Sequence, residues 1–212
     1  MAAIPKTLFE DIVEQHAEEA AFLWSLRDQA VGSPAYDRED LAELDGRLDA
    51  HLDGLRVAGD AGWTSGFGGI VTEEPETLFP AAVLAFESGD GRHIDAVLEI
   101  AGQSLPGFRA SVAALGWVDE SHFRNVFPLL KRANSRLYQR LAVAACGVRR
   151  FDPGQSLLLN AVDSPDLFLK SRALKTIGEL KLEELLPFAQ SRTNHRNHMC
   201  RFHAVRTSFL LG

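Results

Sequence analysis

The chain has 212 residues, 46% of them hydrophobic and 24% charged, with a formal net charge of −7 and an isoelectric point near 5.5. That balance supports a continuous core, and the length permits one large domain or two small ones. An acidic chain is repelled by phosphate backbones, so nucleic acid is disfavoured as a partner.

The first residues, MAAIPKTLFEDIVEQHAEEA, have neither the basic start nor the apolar run of a secretory signal. Thr7 and Glu10 have the spacing of a capping box and predict a helix start. Leu8, Ile12, Ala17, Ala20, Leu23 and Leu26 can share one face of that helix, which fades near Val31, Gly32 and Pro34. Asp37 is placed to cap a second helix. Leu41, Leu44, Leu48, Leu52 and Leu55 follow at intervals of 3, 4, 4 and 3, one apolar stripe flanked by charge. Two such helices joined by a short turn predict an antiparallel hairpin over residues 1–58. A coiled-coil dimer is the rival reading, against which the stripe is short.

Residues 59–69 read GDAGWTSGFGG, with five glycines in eleven positions. That density predicts a break, and a linker is expected over residues 59–71. The stretch has no Lys-Ser/Thr ending and no preceding strand, so it does not read as a phosphate-binding loop. Trp63, among the glycines, is expected either to pack back onto a helix or to contact a protein partner.

Beyond the linker the sequence repeats. Four segments run from an arginine through small and apolar residues to a glycine: Arg109 to Gly116, Arg140 to Gly147, Arg172 to Gly178 and Arg206 to Gly212. The glycines are 31, 31 and 34 residues apart, a period that marks stacked helical repeats. Each glycine suits the left-handed end of a helix. Ala113, Ala142 and Ala173 would let neighbouring helices approach. Second helices are centred on residues 127–130, 156–159 and 185–188. Ser104 with Pro106, Asp152 with Pro153, and Ser164 with Pro165 read as helix starts. Residues 75–104 fit a weaker leading pair. No stretch alternates with period two, so no sheet is expected. The expected architecture is all-α, an α-α superhelix over residues 72–212 preceded by the hairpin, with the second helix of each pair lining a concave face.

The unit of loop Asp/Asn, arginine, alanine, Leu-Gly and Leu-Leu-Pro, clearest over residues 163–190, resembles a HEAT repeat. The resemblance implies a polar ladder between repeats. Arg140 and Arg172 match its arginine and Asn134 and Asp163 its loop residue, with Arg109 and Arg206 weaker matches. Residues 9–31, 48–63 and 197–212 resemble an uncharacterised proteobacterial family of HEAT-like proteins encoded near type VI secretion genes. That resemblance implies a scaffold that binds a protein or peptide, as adaptor or chaperone for a secretion effector or spike protein; the sequence offers no catalytic residue, so a non-enzymatic role is expected, and with neither a secretory signal nor a membrane helix it reads as cytoplasmic. Relatives of that family are longer. The apolar residues Phe209, Leu210 and Leu211 before Gly212 imply an end that promotes homodimerisation.

Candidate chemistry is sparse. Cys146 and Cys200 set no disulfide framework and read as free buried thiols. No apolar run approaches the roughly 18 residues of a membrane helix. His195, His198, Cys200 and His203 are zinc-ligand types within nine residues, but one helix would scatter them over several faces, and no metal or cofactor is expected. His16, among glutamates, reads as a surface histidine. Glu18, Glu19, Asp40, Glu43, Asp45, Asp49 and Asp53 make the hairpin acidic, either a wetted face or a dock for a basic partner. Two further functions compete with the scaffold. One is a HEAT-like nucleic-acid enzyme of the DNA glycosylase type, using Arg124, Lys131, Arg132, Arg136, Arg140, Arg149 and Arg150 with Trp117 and Asp119. The other is a self-associating structural subunit.

Overall fold

The computed structural model describes residues 6–71, 73–132 and 135–212. Asn134, expected in the polar ladder, lies outside them, as do the side chains of Thr7 and Leu8. Every regular element among the described residues is a helix, and no strand forms there; Val71 and Glu74 make one isolated bridge. No described helix is long and apolar enough to cross a membrane. Contacts group the chain into two compact units, Met1–Phe123 and Arg124–Gly212.

The first unit begins with α1 (Lys6–Ala30) and α2 (Arg38–Ala58). Asp37 caps α2 in a full capping box, accepting from the Glu39 and Asp40 N–H groups while Asp40 accepts from its own. The two helices run antiparallel, because Arg27 meets Asp45 near the turn and His16 meets His51 further from it. Leu44, Leu48, Leu52 and Leu55 of the expected stripe are buried. On α1 the buried face is Val13, Ala17, Ala20 and Trp24, whereas Ile12 is 41% exposed, contrary to expectation. Trp24 sets that rotation by stacking on Phe79 with ring centroids 5.1 Å apart.

Residues 59–71 are not the linker expected. Asp60–Gly68 forms a helix, α3, that packs on α1, α2 and α4 (Leu78–Ser88). Its two interior glycines, Gly62 and Gly66, oppose a helix by about 1 kcal/mol each. Packing reverses the preference. A Cβ on Gly62 would overlap the Leu55 carbonyl of α2, and one on Gly66 would lie 3.6 Å from Leu84 of α4. The glycines make α3 thin enough to lie between its neighbours. Gly59, at φ 58°, supplies the sharp joint between α2 and α3.

A 3₁₀ turn, Pro75–Thr77, leads into α4, which is buried on nearly every side through Leu78, Phe79, Ala82, Val83 and Phe86. Then come α5 (Gly91–Ala101) and α6 (Leu105–Trp117), the second capped by Ser104 as expected. Helix α7 (Glu120–Arg132) spans the division between the units and carries Pro128.

The second unit holds α8 (Arg136–Arg149), α9 (Gln155–Asp163), α10 (Leu167–Leu180), α11 (Leu186–Gln190) and α12 (His198–Leu211). Helix α10 is central and packs on α8, α9 and α12. Its core joins Val143, Leu158, Ala173, Leu174, Ile177, Leu185, Cys200 and Ala204. The Thr176 hydroxyl of α10 donates to the Val143 carbonyl of α8 at 3.0 Å. The Thr207 hydroxyl of α12 donates to the Leu174 carbonyl of α10 at 2.7 Å. Donor and acceptor have each advanced by 31 residues, so the same packing is made twice. The helix caps keep that period: Ser104, Ser135, Asp166 and Asn197.

Two local expectations change. Gly147 and Gly178 do not end their helices, which run on to Arg149 and Leu180; the left-handed ends are Arg150 and Lys181, both at φ 55°. The glycines instead make room. A Cβ on Gly178 would lie 2.6 Å from the Thr207 hydroxyl, and one on Gly147 would overlap Arg172 and Glu179. Likewise Ser164 and Asp152 do not cap α10 and α9. Each accepts an N–H two residues on, from Asp166 and Gly154, and the carboxylate of Asp166 takes the capping position of α10.

Candidate acidic groove of the N-terminal unit

The first unit carries an open groove of about 780 Å³, lined by Asp45, Gly46, Asp49, Asp53, Arg56, Glu87, Trp117, Asp119 and His122. Helix α2 supplies most of one wall because Asp45, Asp49, Asp53 and Arg56 recur at helical spacing on its polar side, away from the leucine stripe. Helix α4 contributes Glu87, the C-terminal end of α6 contributes Trp117, and Asp119 and His122 follow from the start of α7.

Arg56 organises the floor. Its guanidinium bonds Glu87 through two nitrogens at 3.0 and 2.8 Å, Asp53 at 2.7 Å and Asp49 at 3.0 Å. The bond to Glu87 is the chief reason its pKa is raised, so the charge is held firmly. Five carboxylates line the groove against this one guanidinium. Asp49 and Asp53 keep 54% and 66% of their side chains in solvent, so both stay open to a second cation. Trp117 stands edge-on to Phe79, with centroids 5.9 Å apart, and its indole N–H lies 3.5 Å from Asp49. The Nδ1 atom of His122 is buried and has no hydrogen-bond partner among the described residues. Carboxylates beside an indole face suit a guanidinium or ammonium group.

Asp45, Asp49 and Asp53 of the acidic hairpin thus share this groove, while Glu18 lies exposed on α1. Arg56 and Glu87 are 31 residues apart on different helices, and no local pattern marks them as a pair. Trp117 and Asp119, weighed for a base-processing site, lie among these acids, a setting that repels a phosphate backbone.

Arg140 bonds Asp166 at 2.7 Å and lies 5.0 Å from the Phe168 ring, while Asp163 pairs with Arg192. The carboxylate that Arg140 reaches is therefore the cap of α10, not the loop residue before it. Burial pushes the Asp166 carboxyl up, but the bonds from Arg140, Leu169 and Phe168 outweigh it and hold it below its ordinary value. Arg172 donates to the Ala144 carbonyl at 3.0 Å and to Glu179 at 2.9 Å, with 12% of its side chain exposed. Arg109 pairs with Asp28 in solvent.

Trp63 is half-buried and stacks on His93 at 3.9 Å and on Phe67 at 5.0 Å. His16 is half-buried, not at the surface as expected. Its Nδ1 lies 3.1 Å from that of His51, and its ring fills the space over Gly54. Cys146 and Cys200 are free and buried, and burial pushes the Cys146 thiol up to about 12. His195 accepts the Asn197 N–H, Cys200 lies 3.5 Å from the Leu167 carbonyl, and His198 is exposed. Among the described residues no three His, Cys, Asp or Glu side chains are placed to hold a metal.

No protein-family model matches the chain, and no curated protein matches it in sequence.

Proposed function

We propose that this chain is a non-enzymatic, HEAT-like repeat scaffold whose acidic groove takes a positively charged segment of a protein partner. The groove carries the reading: five carboxylates, one guanidinium and an indole line a space of about 780 Å³. A peptide bearing arginine or lysine would place its cations on Asp49, Asp53 and Asp119 and its aliphatic stems on Trp117. The repeated contacts of α8, α10 and α12, and the pair Arg140–Asp166, support the HEAT-like part of the reading. The resemblance of residues 9–31, 48–63 and 197–212 to proteins encoded near type VI secretion genes supports a partner among secretion effectors or spike proteins, with an adaptor or chaperone role in the cytoplasm.

Titration calorimetry with an octa-arginine peptide at low salt tests the groove. Binding is expected to weaken about tenfold or more in Asp49→Asn/Asp53→Asn, and to fall steeply with added salt. The control Glu183→Gln/Glu184→Gln makes the same change in net charge on two exposed residues of the second unit and should leave affinity unchanged. Equal losses in both variants, or no binding at low salt, would overturn the groove. Affinity capture from a bacterium that encodes the chain tests the adaptor role, which fails if no effector or spike protein co-purifies.

A further inference from the structure

The repeat in the second unit exposes an unmatched face. Helices α8, α10 and α12 are successive copies offset by 31 residues, as their shared threonine bonds and caps require. Val143 and Gly147 of α8 lie where α10 packs, and both are buried. Leu174 and Gly178 of α10 lie where α12 packs, and both are buried. The corresponding residues of α12 are Val205 and Phe209, which are 50% and 86% exposed. Phe202, at 58%, stands on the same face, three residues before Val205, itself four before Phe209.

A further copy of the same helix cannot cover this face in the same register. At Gly178 even a methyl group would lie 2.6 Å from the threonine hydroxyl of the next helix. Phe209 puts a whole ring at the corresponding place. The occupant must instead accept that ring as a knob.

Charge narrows the choice. Helix α12 carries Arg201 and Arg206, both exposed beside the apolar stripe, and no acidic residue. Two α12 helices face to face would set like charges together. The outward face of α1 is complementary. Asp11, Gln15, Glu18 and Phe22 recur at intervals of 4, 3 and 4, opposite the buried Val13, Ala17, Ala20 and Trp24. All four are exposed, Phe22 by 60%. This face offers two carboxylates for the two arginines and an aromatic ring to pack between Phe202 and Phe209.

We infer that α12 is a docking surface for α1 of a second copy of this chain, so that copies associate head to tail. The contact is heterologous: each copy offers one α12 face and one α1 face, and association does not stop at two unless a ring closes. A single helix-on-helix contact buries less surface than a stable interface of roughly 1,200–2,000 Å², so the association is weak and grows with concentration. This inference does not depend on the groove, which uses other residues and another assay.

Sedimentation equilibrium of the full chain tests it. The average mass should climb past that of a dimer as concentration rises, and added salt should lower it. Phe202→Glu/Phe209→Glu, which removes the α12 face, and Phe22→Lys, which removes the α1 face, should each be monomeric. These side chains are exposed, so the variants should keep the wild-type circular dichroism. The decisive arm is an equimolar mixture. One intact α12 face and one intact α1 face remain, so the mixture should form a dimer and go no further. A wild-type chain that stays monomeric throughout overturns the inference. So does a Phe22→Lys variant that still self-associates, because α12 would then meet something other than α1.

Discussion

The two units of this protein hold their helices together by different means. In the second, one arrangement is made twice: a threonine of α10 bonds α8, and a threonine of α12 bonds α10, and at each junction a glycine of the earlier helix makes room for side chains of the later one. In the first, each junction is particular to its place. Trp24 stacks on Phe79, His16 meets His51 edge-on over Gly54, α3 lies against the Leu55 carbonyl through Gly62, and Arg56 donates to Glu87. A repeated junction recurs in sequence at a fixed period and can be seen before folding. A particular junction leaves no period, because its partners come from elements of unrelated pattern. The two units share one device. In both, a glycine inside a helix works by what it lacks, a side chain in the path of a neighbour.

The junctions of the first unit are most sensitive at Gly62. Its neighbour is a backbone carbonyl that cannot swing aside, so Gly62→Val should cost about 3 kcal/mol or more and lower the denaturant midpoint of the first unit. A loss below about 1 kcal/mol would show that α3 can pull away from α2, and the argument for its helicity would fail.

The next effect lies in the second unit. Arg172 is nearly enclosed and donates to the Ala144 carbonyl and to Glu179. Arg172→Ala should destabilise by about 1–3 kcal/mol, since the Ala144 carbonyl and the Glu179 carboxylate would both lose its guanidinium. Arg109→Ala, which removes an exposed pair with Asp28, should change stability by less than about 0.5 kcal/mol. Equal effects at the two arginines would remove the distinction between a packed member of the repeat and a solvated one.

A more modest effect than the loss of Arg172 is a dependence on pH. His203 is lowered to about 4, first by burial and then by Lys175, Arg172 and Arg206, with Glu179 opposing. His51 is lowered by burial, then by His16 and Arg47, against Glu19. An unfolded histidine takes up a proton near pH 6.5, whereas folded His203 does so only near 4. The folded state therefore keeps its full stability above about pH 6.5 and loses it as pH falls toward 4. Because the ring is partly hydrated, the loss from His203 should be about 1 kcal/mol. His203→Leu should flatten the thermal midpoint over that range. Asp166 acts lower down. Its folded pKa is depressed, so its contribution is present above the ordinary carboxylate range and is lost below it. A His203→Leu variant that keeps the wild-type slope between pH 6.5 and 4 would clear this side chain of the effect.

The helical class, the leucine face of α2, the caps Asp37 and Ser104, and the recurrence in the second half were legible in the residues alone. Each is a short-range matter, settled by helical spacing or by one side chain reaching a backbone N–H a few residues away. The sequence also marked Asp45, Asp49 and Asp53 as acidic, though not what they surround. Packing between helices makes Asp60–Gly68 helical, sets Gly147 and Gly178 within helices, brings Arg140 to Asp166, and gathers Glu87, Asp49 and Asp53 round Arg56. The reason is the same in each case. The helix at a run of glycines, and the partner of an arginine, depend on which neighbour comes within a few ångströms. That distance is set by the packing of whole helices and not by the residues on either side in the chain.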